Sequence, residues 1–304
     1  MRHLLFLVLV GPAGLAGCSG CATTPTSSAT TSTPSPTATS QGRPPARPDP
    51  LIEVPGLSDL HRRPLVVLFE WTPRLDVIGS DMPTIVVYED GLIIQNSLAT
   101  DRGPRWNGLR GQIEPSDAMA FVRALATPEF LGLPRHMADH VDMHSPTVAI
   151  ALRQGVKWKR VAVSGLRRDS PVSRDPQIAA FDKTYRALLS PDVPEGLRWI
   201  PEEIEIMLWG FAHAREVVPW PADLPPLPKT WLPPPDDAGV YKHVVHGKHE
   251  DAVRMFLREH GQKAVVVNGI KCAMGVRRLA PEESYIRRVF SMESSSPNPP
   301  QATP

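Results

Sequence analysis

The segment Arg135-His136-Met137-Ala138-Asp139-His140-Val141-Asp142-Met143-His144 gathers three imidazoles and two carboxylates within ten residues. His136, His140 and His144 recur every fourth residue, so a helix would line them along one face with Asp139 and Asp142 nearby. Neighbouring histidines at that spacing share a Zn²⁺ ion in many proteins, with an aspartate as a third ligand. A metal-dependent envelope hydrolase using His136, His140 and His144 is therefore one reading. Against it, Pro134 and Pro146 bracket the segment, which favours a short loop or a single exposed helix. His136 and His144 would also stand about 12 Å apart at ~1.5 Å rise per residue, too far for one ion. A solvated segment is the expectation, and no metal ligand is assigned.

The other polar groupings offer less. His243 and His246 point to opposite faces of a strand. His249-Glu250 does not open an H-E-x-x-H motif, because Val253 holds the place of the second histidine. Glu202-Glu203 and Asp236-Asp237 are adjacent in the chain, whereas a glycosidase needs two carboxyls facing each other across a cleft. They read as solvated loop acids. The sequence has no G-x-S-x-G elbow, P-loop or dinucleotide fingerprint. No catalytic residue and no cofactor is assigned, and a binding or structural role is expected over an enzymatic one.

The clearest chemistry lies at the start. Arg2 and His3 give a positive opening, Leu4 to Val10 is an unbroken apolar run, and Gly11-Pro12 ends it. The run is well short of the roughly 20 residues that span a bilayer. Leu15-Ala16-Gly17-Cys18 then brings small residues up to a thiol. This is the layout of a secretory signal, and its last four residues resemble the lipobox of bacterial lipoproteins. The resemblance implies a diacylglycerol thioether on Cys18, cleavage just before it and acylation of the new amino group. Ser19, in place of an aspartate, implies the outer membrane of a two-membrane bacterium. Several acyl chains on one residue anchor stably where a single chain is marginal.

Cys21 completes a C-x-x-C with Cys18, but lipid on Cys18 removes any redox or metal use of the pair. Cys272 is the third and last cysteine, so the folded region has no disulfide framework. It is expected as a buried free thiol, a bond to Cys21 or to another chain being the alternative. A net charge of +1 gives no electrostatic case for nucleic acid. The scattered pairs Arg62-Arg63, Arg167-Arg168, Arg277-Arg278 and Arg287-Arg288 read as solvated surface.

Residues 1–17 form the expected signal peptide. Residues 18–50 are almost entirely Ser, Thr, Pro and Ala, too poor in apolar side chains to offset their ordering entropy, and read as a disordered lipidated tether. Residues 51–214 follow as an α+β domain. Its signals are the run Leu65-Val66-Val67-Leu68-Phe69, hairpins across Asp90-Gly91 and Gln154-Gly155, a helix capped by Ser116 and another started by Asp175-Pro176. Ile204, Ile206 and Leu208 alternate along an edge or final strand.

A Pro/Trp-rich strap covers 215–240, where proline bars regular structure and Trp209, Trp220 and Trp231 offer rings to stack on. Residues 241–290 read as a βαββ unit packed on the main domain, with an Asn268-Gly269 turn, and 291–304 as a disordered tail. The fold class is thus α+β: an antiparallel sheet built from hairpins with helices on one face, plus a C-terminal βαββ unit. Together with Val87-Tyr88-Glu89-Asp90-Gly91, the layout resembles lipoproteins of GC-rich bacteria to which no activity is assigned. The functional expectation is a membrane-anchored cell-envelope module. Its partners are the membrane through Cys18 and an envelope protein or peptidoglycan, with no nucleic acid.

Overall fold

The computed structural model describes residues 49–71, 82–96, 108–139, 145–166, 173–189, 197–227, 240–261 and 263–291. The signal peptide, Cys18, Cys21, His140, Asp142, His144, Trp231 and the Asp236-Asp237 pair lie outside these residues.

A first sheet holds nine strands: β1 (Ile52–Glu53), β2 (Pro64–Trp71), β3 (Pro83–Tyr88), β4 (Leu92–Asn96), β5 (Gly108–Gln112), β6 (His136–Ala138), β7 (Thr147–Gln154), β8 (Lys157–Ser164) and β9 (Leu197–Arg198). Their order is β1-β8-β7-β2-β3-β4-β5-β9, antiparallel throughout, and β6 joins β8 in parallel. The central strand β2 is apolar along most of its length because both of its faces are covered. Val66 and Leu68 enter one core, Val67 and Phe69 the other.

The first core is closed by α1 (Pro115–Leu125), α2 (Pro128–Leu131) and α3 (Pro176–Leu189). Helix α3 starts as its sequence dictates: the Asp175 carboxylate accepts from the Gln177 amide at 2.8 Å, and Pro176 holds the first position. Helix α1 starts earlier than expected. Glu114 is its N-cap and Pro115 its first residue, so Ser116 is inside the helix. Helix α2 was not foreseen; Pro128, which looks like a stop, opens it with Thr127 accepting from the Phe130 amide at 3.2 Å.

The second sheet contains β10 (Glu203–Gly210), β11 (Val217–Pro219), β12 (Tyr241–His246), β13 (Ala264–Val267) and β14 (Ile270–Arg278), in the order β11-β13-β14-β10-β12. With α4 (Glu250–His260) it contains the expected βαββ unit. Two elements differ from expectation. Strand β10 is interior to this sheet, between β12 and β14, and is neither an edge nor a part of the first sheet. A boundary at 214 therefore does not separate the two sheets. Strand β11 lies within the strap and pairs in parallel with β13; Pro219 is tolerated there because the strand has a single neighbour in the sheet. Just beyond it, Trp220 Nε1 donates to the Pro225 carbonyl at 3.1 Å, and Trp220, Leu224 and Leu227 pack into the core of the second sheet.

Two turns show how local chemistry sets register. Asn268 and Gly269 both have positive φ, 49° and 82°, the type I′ geometry their sequence predicts. Around Asp90-Gly91 only Gly91 does, at 81°. The Gly91 amide bonds back to the Tyr88 carbonyl, making a three-residue loop that ends in a left-handed glycine in place of a two-residue turn.

The final helix, α5 (Glu283–Ser291), was also unforeseen, although Tyr285, Ile286 and Val289 carry helical spacing. It covers the second face of the first sheet, so the helices α1–α3 occupy one face as expected while α5 takes the other. A buried relay fixes it: Trp158 Nε1 donates to the Tyr285 hydroxyl at 3.0 Å, and that hydroxyl donates to the Val54 carbonyl at 3.5 Å.

Candidate functional site

Alternation along β10 builds the site. Ile204, Ile206 and Leu208 face the apolar core under α4, so Glu203, Glu205 and Met207 must face the other way. On that second face, β14 sets Arg277 directly opposite Glu205, and β12 sets Val244 opposite Glu205 and Lys242 opposite Met207. The face does not close on apolar packing. It opens onto a cleft of about 680 Å³ shared with β4, β5, the segment after β9 and the start of α5.

The floor of the cleft is a buried ion network. Arg277, 1% exposed, grips Glu205 in a two-pronged contact, Nε to Oε1 at 2.7 Å and Nη2 to Oε2 at 3.0 Å. Its Nη1 donates to Glu283 Oε1 at 3.1 Å, so one guanidinium joins the second sheet to α5. Glu283 also accepts from the Ala280 amide and from Arg287 Nε, each at 3.1 Å, and Lys242 stands 3.7 Å from Glu205. Such a site is stable because the carboxylates and the guanidinium meet partners on several sides; an isolated buried charge would not be tolerated.

The next residue, Arg278, points to the opposite face and is 2% exposed. It donates to Glu250 Oε1 at 2.6 Å and stacks over Trp199, its carbon 5.7 Å from the ring centroid. A methyl group at Gly108 would fall 2.5 Å from Arg278 Nη1 and 2.8 Å from the Trp199 ring, so any side chain there would have to displace one or both. Expecting the pair Arg277-Arg278 as solvated surface is thus corrected. Each of two adjacent strand residues faces a different side, and each side presents a buried acid.

The rim is looser. Glu282 holds a positive φ of 59°, and its Oε1 accepts from the His61 and Arg62 amides at 3.0 and 3.3 Å. Arg62 pairs with Asp90 at 3.5 Å. Tyr88, fully buried beneath, donates to the Pro281 carbonyl at 2.8 Å. Burial, with the Glu283 charge next, holds its phenol well above the usual tyrosine range, so it stays a donor. Arg110, Glu202 and Glu203 line the walls and are exposed, with no ion partner within 4 Å among the described residues.

The residues singled out from sequence fare unevenly. His136 opens a strand, not a helix, and is exposed; parallel pairing of β6 with β8 overrides the four-residue spacing. Asp139 accepts from the Ser173 hydroxyl at 3.1 Å. His140, Asp142 and His144 lie outside the described residues. His213 is exposed, and His246 is exposed with its Nδ1 accepting from the Lys248 amide at 3.0 Å. Among the described residues no three metal-capable side chains converge. His61, which belongs to no motif in the sequence, is the histidine of the cleft. Glu202 and Glu203 form part of its wall. Cys272 is a fully buried free thiol that burial pushes above its usual pKa.

Compared with known protein families, with curated proteins and with solved structures, the chain matches none. Among the described residues no helix is long and apolar enough to cross a membrane.

Proposed function

We propose that this chain is an extracytoplasmic lipoprotein, anchored through Cys18 to the outer membrane, whose folded body is a binding module with its ligand site in the cleft between the two sheets. The anchor rests on the positive start, the short apolar run and Leu15-Ala16-Gly17-Cys18; the Ser/Thr/Pro-rich tether gives the body reach from the bilayer. One observation carries the binding role. Exposed Arg110, Glu202 and Glu203 line the cleft unpaired, above a floor whose charges are fully engaged. A concave site with a fixed polar floor and exposed charged walls free of ion partners suits a ligand site. The partner is an envelope protein or peptidoglycan.

A photoreactive residue placed at Val244, in the cleft, and separately at Met119, on the outer side of α1, tests this in intact cells. Adducts with protein or wall material are expected from Val244 only, and replacing Cys18→Ser removes both fatty-acid labelling and membrane retention. Equal adducts from both positions, or none from Val244, contradict the binding site. Retention of the label in the Cys18→Ser chain contradicts the anchor.

A further inference from the structure

We infer that the cleft takes a zwitterionic peptide, one carrying both a free carboxylate and a free ammonium group; this rests on the cleft being the ligand site. The charges of its lining are balanced, five carboxylates against five Lys and Arg cations. A polyanion such as a nucleic acid or a cluster of lipid phosphates would meet as much repulsion as attraction there.

The free charges are also of both signs. Arg110 on β5 has no carboxylate within 4 Å, and Glu202 and Glu203 at the head of β10 have no cation within 4 Å, among the described residues. They share one cleft without neutralising each other. A ligand that bridges them must bring a carboxylate to Arg110 and an ammonium to the glutamates. Charge-assisted hydrogen bonds of this kind are the strong ones.

The rest of the lining fixes the class further. Ile200 is 69% exposed and Val244 47%, giving apolar contact for a short aliphatic side chain or a backbone between the charged ends. Trp199 is only 5% exposed and lies against Arg278, so it offers no open ring face on which a sugar could stack. About 680 Å³ leaves a single amino acid loosely held and suits a peptide of a few residues. This chemistry is shared by free oligopeptides and by the peptide stems of the cell wall.

Calorimetric titration of the full-length lipidated chain in detergent decides the matter. The probes are Ala-Ala-Lys with free termini, its fully acetylated form lacking ammonium groups, and its amide lacking the carboxylate. Saturable binding of the free peptide is expected, weakened by at least about tenfold by either cap. Arg110→Ala should weaken the free peptide and remove the difference between carboxylate and amide. The double change Glu202→Gln with Glu203→Gln should remove the difference between amine and acetylated amine. Both variants alter exposed side chains, and an unchanged melting temperature confirms folding.

Stem peptides released from the wall form a second arm. Tighter binding than Ala-Ala-Lys assigns the source to the wall, and equal binding assigns it to oligopeptides at large; either supports the inference. Capped peptides binding as well as the free one overturn it, as does an absence of saturable binding by any probe. The cleft as a ligand site falls only if photo-adducts at Val244 are absent as well.

Discussion

Arg277 ties β10 and α5 together through Glu205 and Glu283. Arg277→Met should cost about 3–5 kcal/mol of folding stability, because two carboxylates lose the cation that permits their burial. Adding Glu205→Leu to that variant should recover part of the loss, since it removes one of the two stranded carboxylates, while Glu283 keeps Arg287 and the Ala280 amide. Urea denaturation of the full chain measures both steps; a double variant no more stable than the single one would show that the contact is needed for more than charge balance. Little of this was legible in the sequence. Arg277-Arg278 looks like any pair of surface arginines until β14 is known to be flanked by acids on both sides. The signal was present on β10, where the isoleucines that mark the buried face also leave Glu203 and Glu205 on the other.

Elements with strong local chemistry were readable, and those decided by pairing were not. Asp175-Pro176 and Asn268-Gly269 specify a cap and a turn within a few residues, and both occur as read. His136 belongs to the other kind: its spacing fits a helix, but the hydrogen bonds of β8 are satisfied by drawing 136–138 in as a strand. Helix α5 was missed because its apolar stripe is short and follows a strand directly, while its partners are Val67, Val86 and Trp158, far away in sequence. Turn geometry gives a matching pair of predictions. At Gly269 an added Cβ meets nothing within 4 Å, so Gly269→Ala should cost only the backbone penalty, about 1 kcal/mol. At Gly91 the same Cβ would fall 1.9 Å from the Ile113 carbonyl oxygen, so Gly91→Ala should cost distinctly more. Urea midpoints of the two variants should therefore be well separated, and equal midpoints would show that the loop near Ile113 yields freely.

At the scale of the molecule, the second sheet has one apolar and one polar face, and the polar face is turned toward the first sheet and α5. Two layers that met only to bury apolar surface would have closed there; the charged lining leaves a water-accessible cleft. The α+β class was legible in the sequence, because hydrophobic periodicity and turn chemistry carry it. The sequence could not show the cleft, whose walls come from β4, β5, β10, β12, β14 and α5, segments far apart in the chain. Hydrogen exchange of the full chain, with and without saturating Ala-Ala-Lys, locates the surface that meets the peptide. Slowed exchange confined to residues 108–112, 197–205, 240–246 and 277–287 is the predicted result. Slowed exchange elsewhere with those segments unchanged would contradict the cleft as the place where this protein meets its ligand, and no change anywhere would contradict a peptide as that ligand.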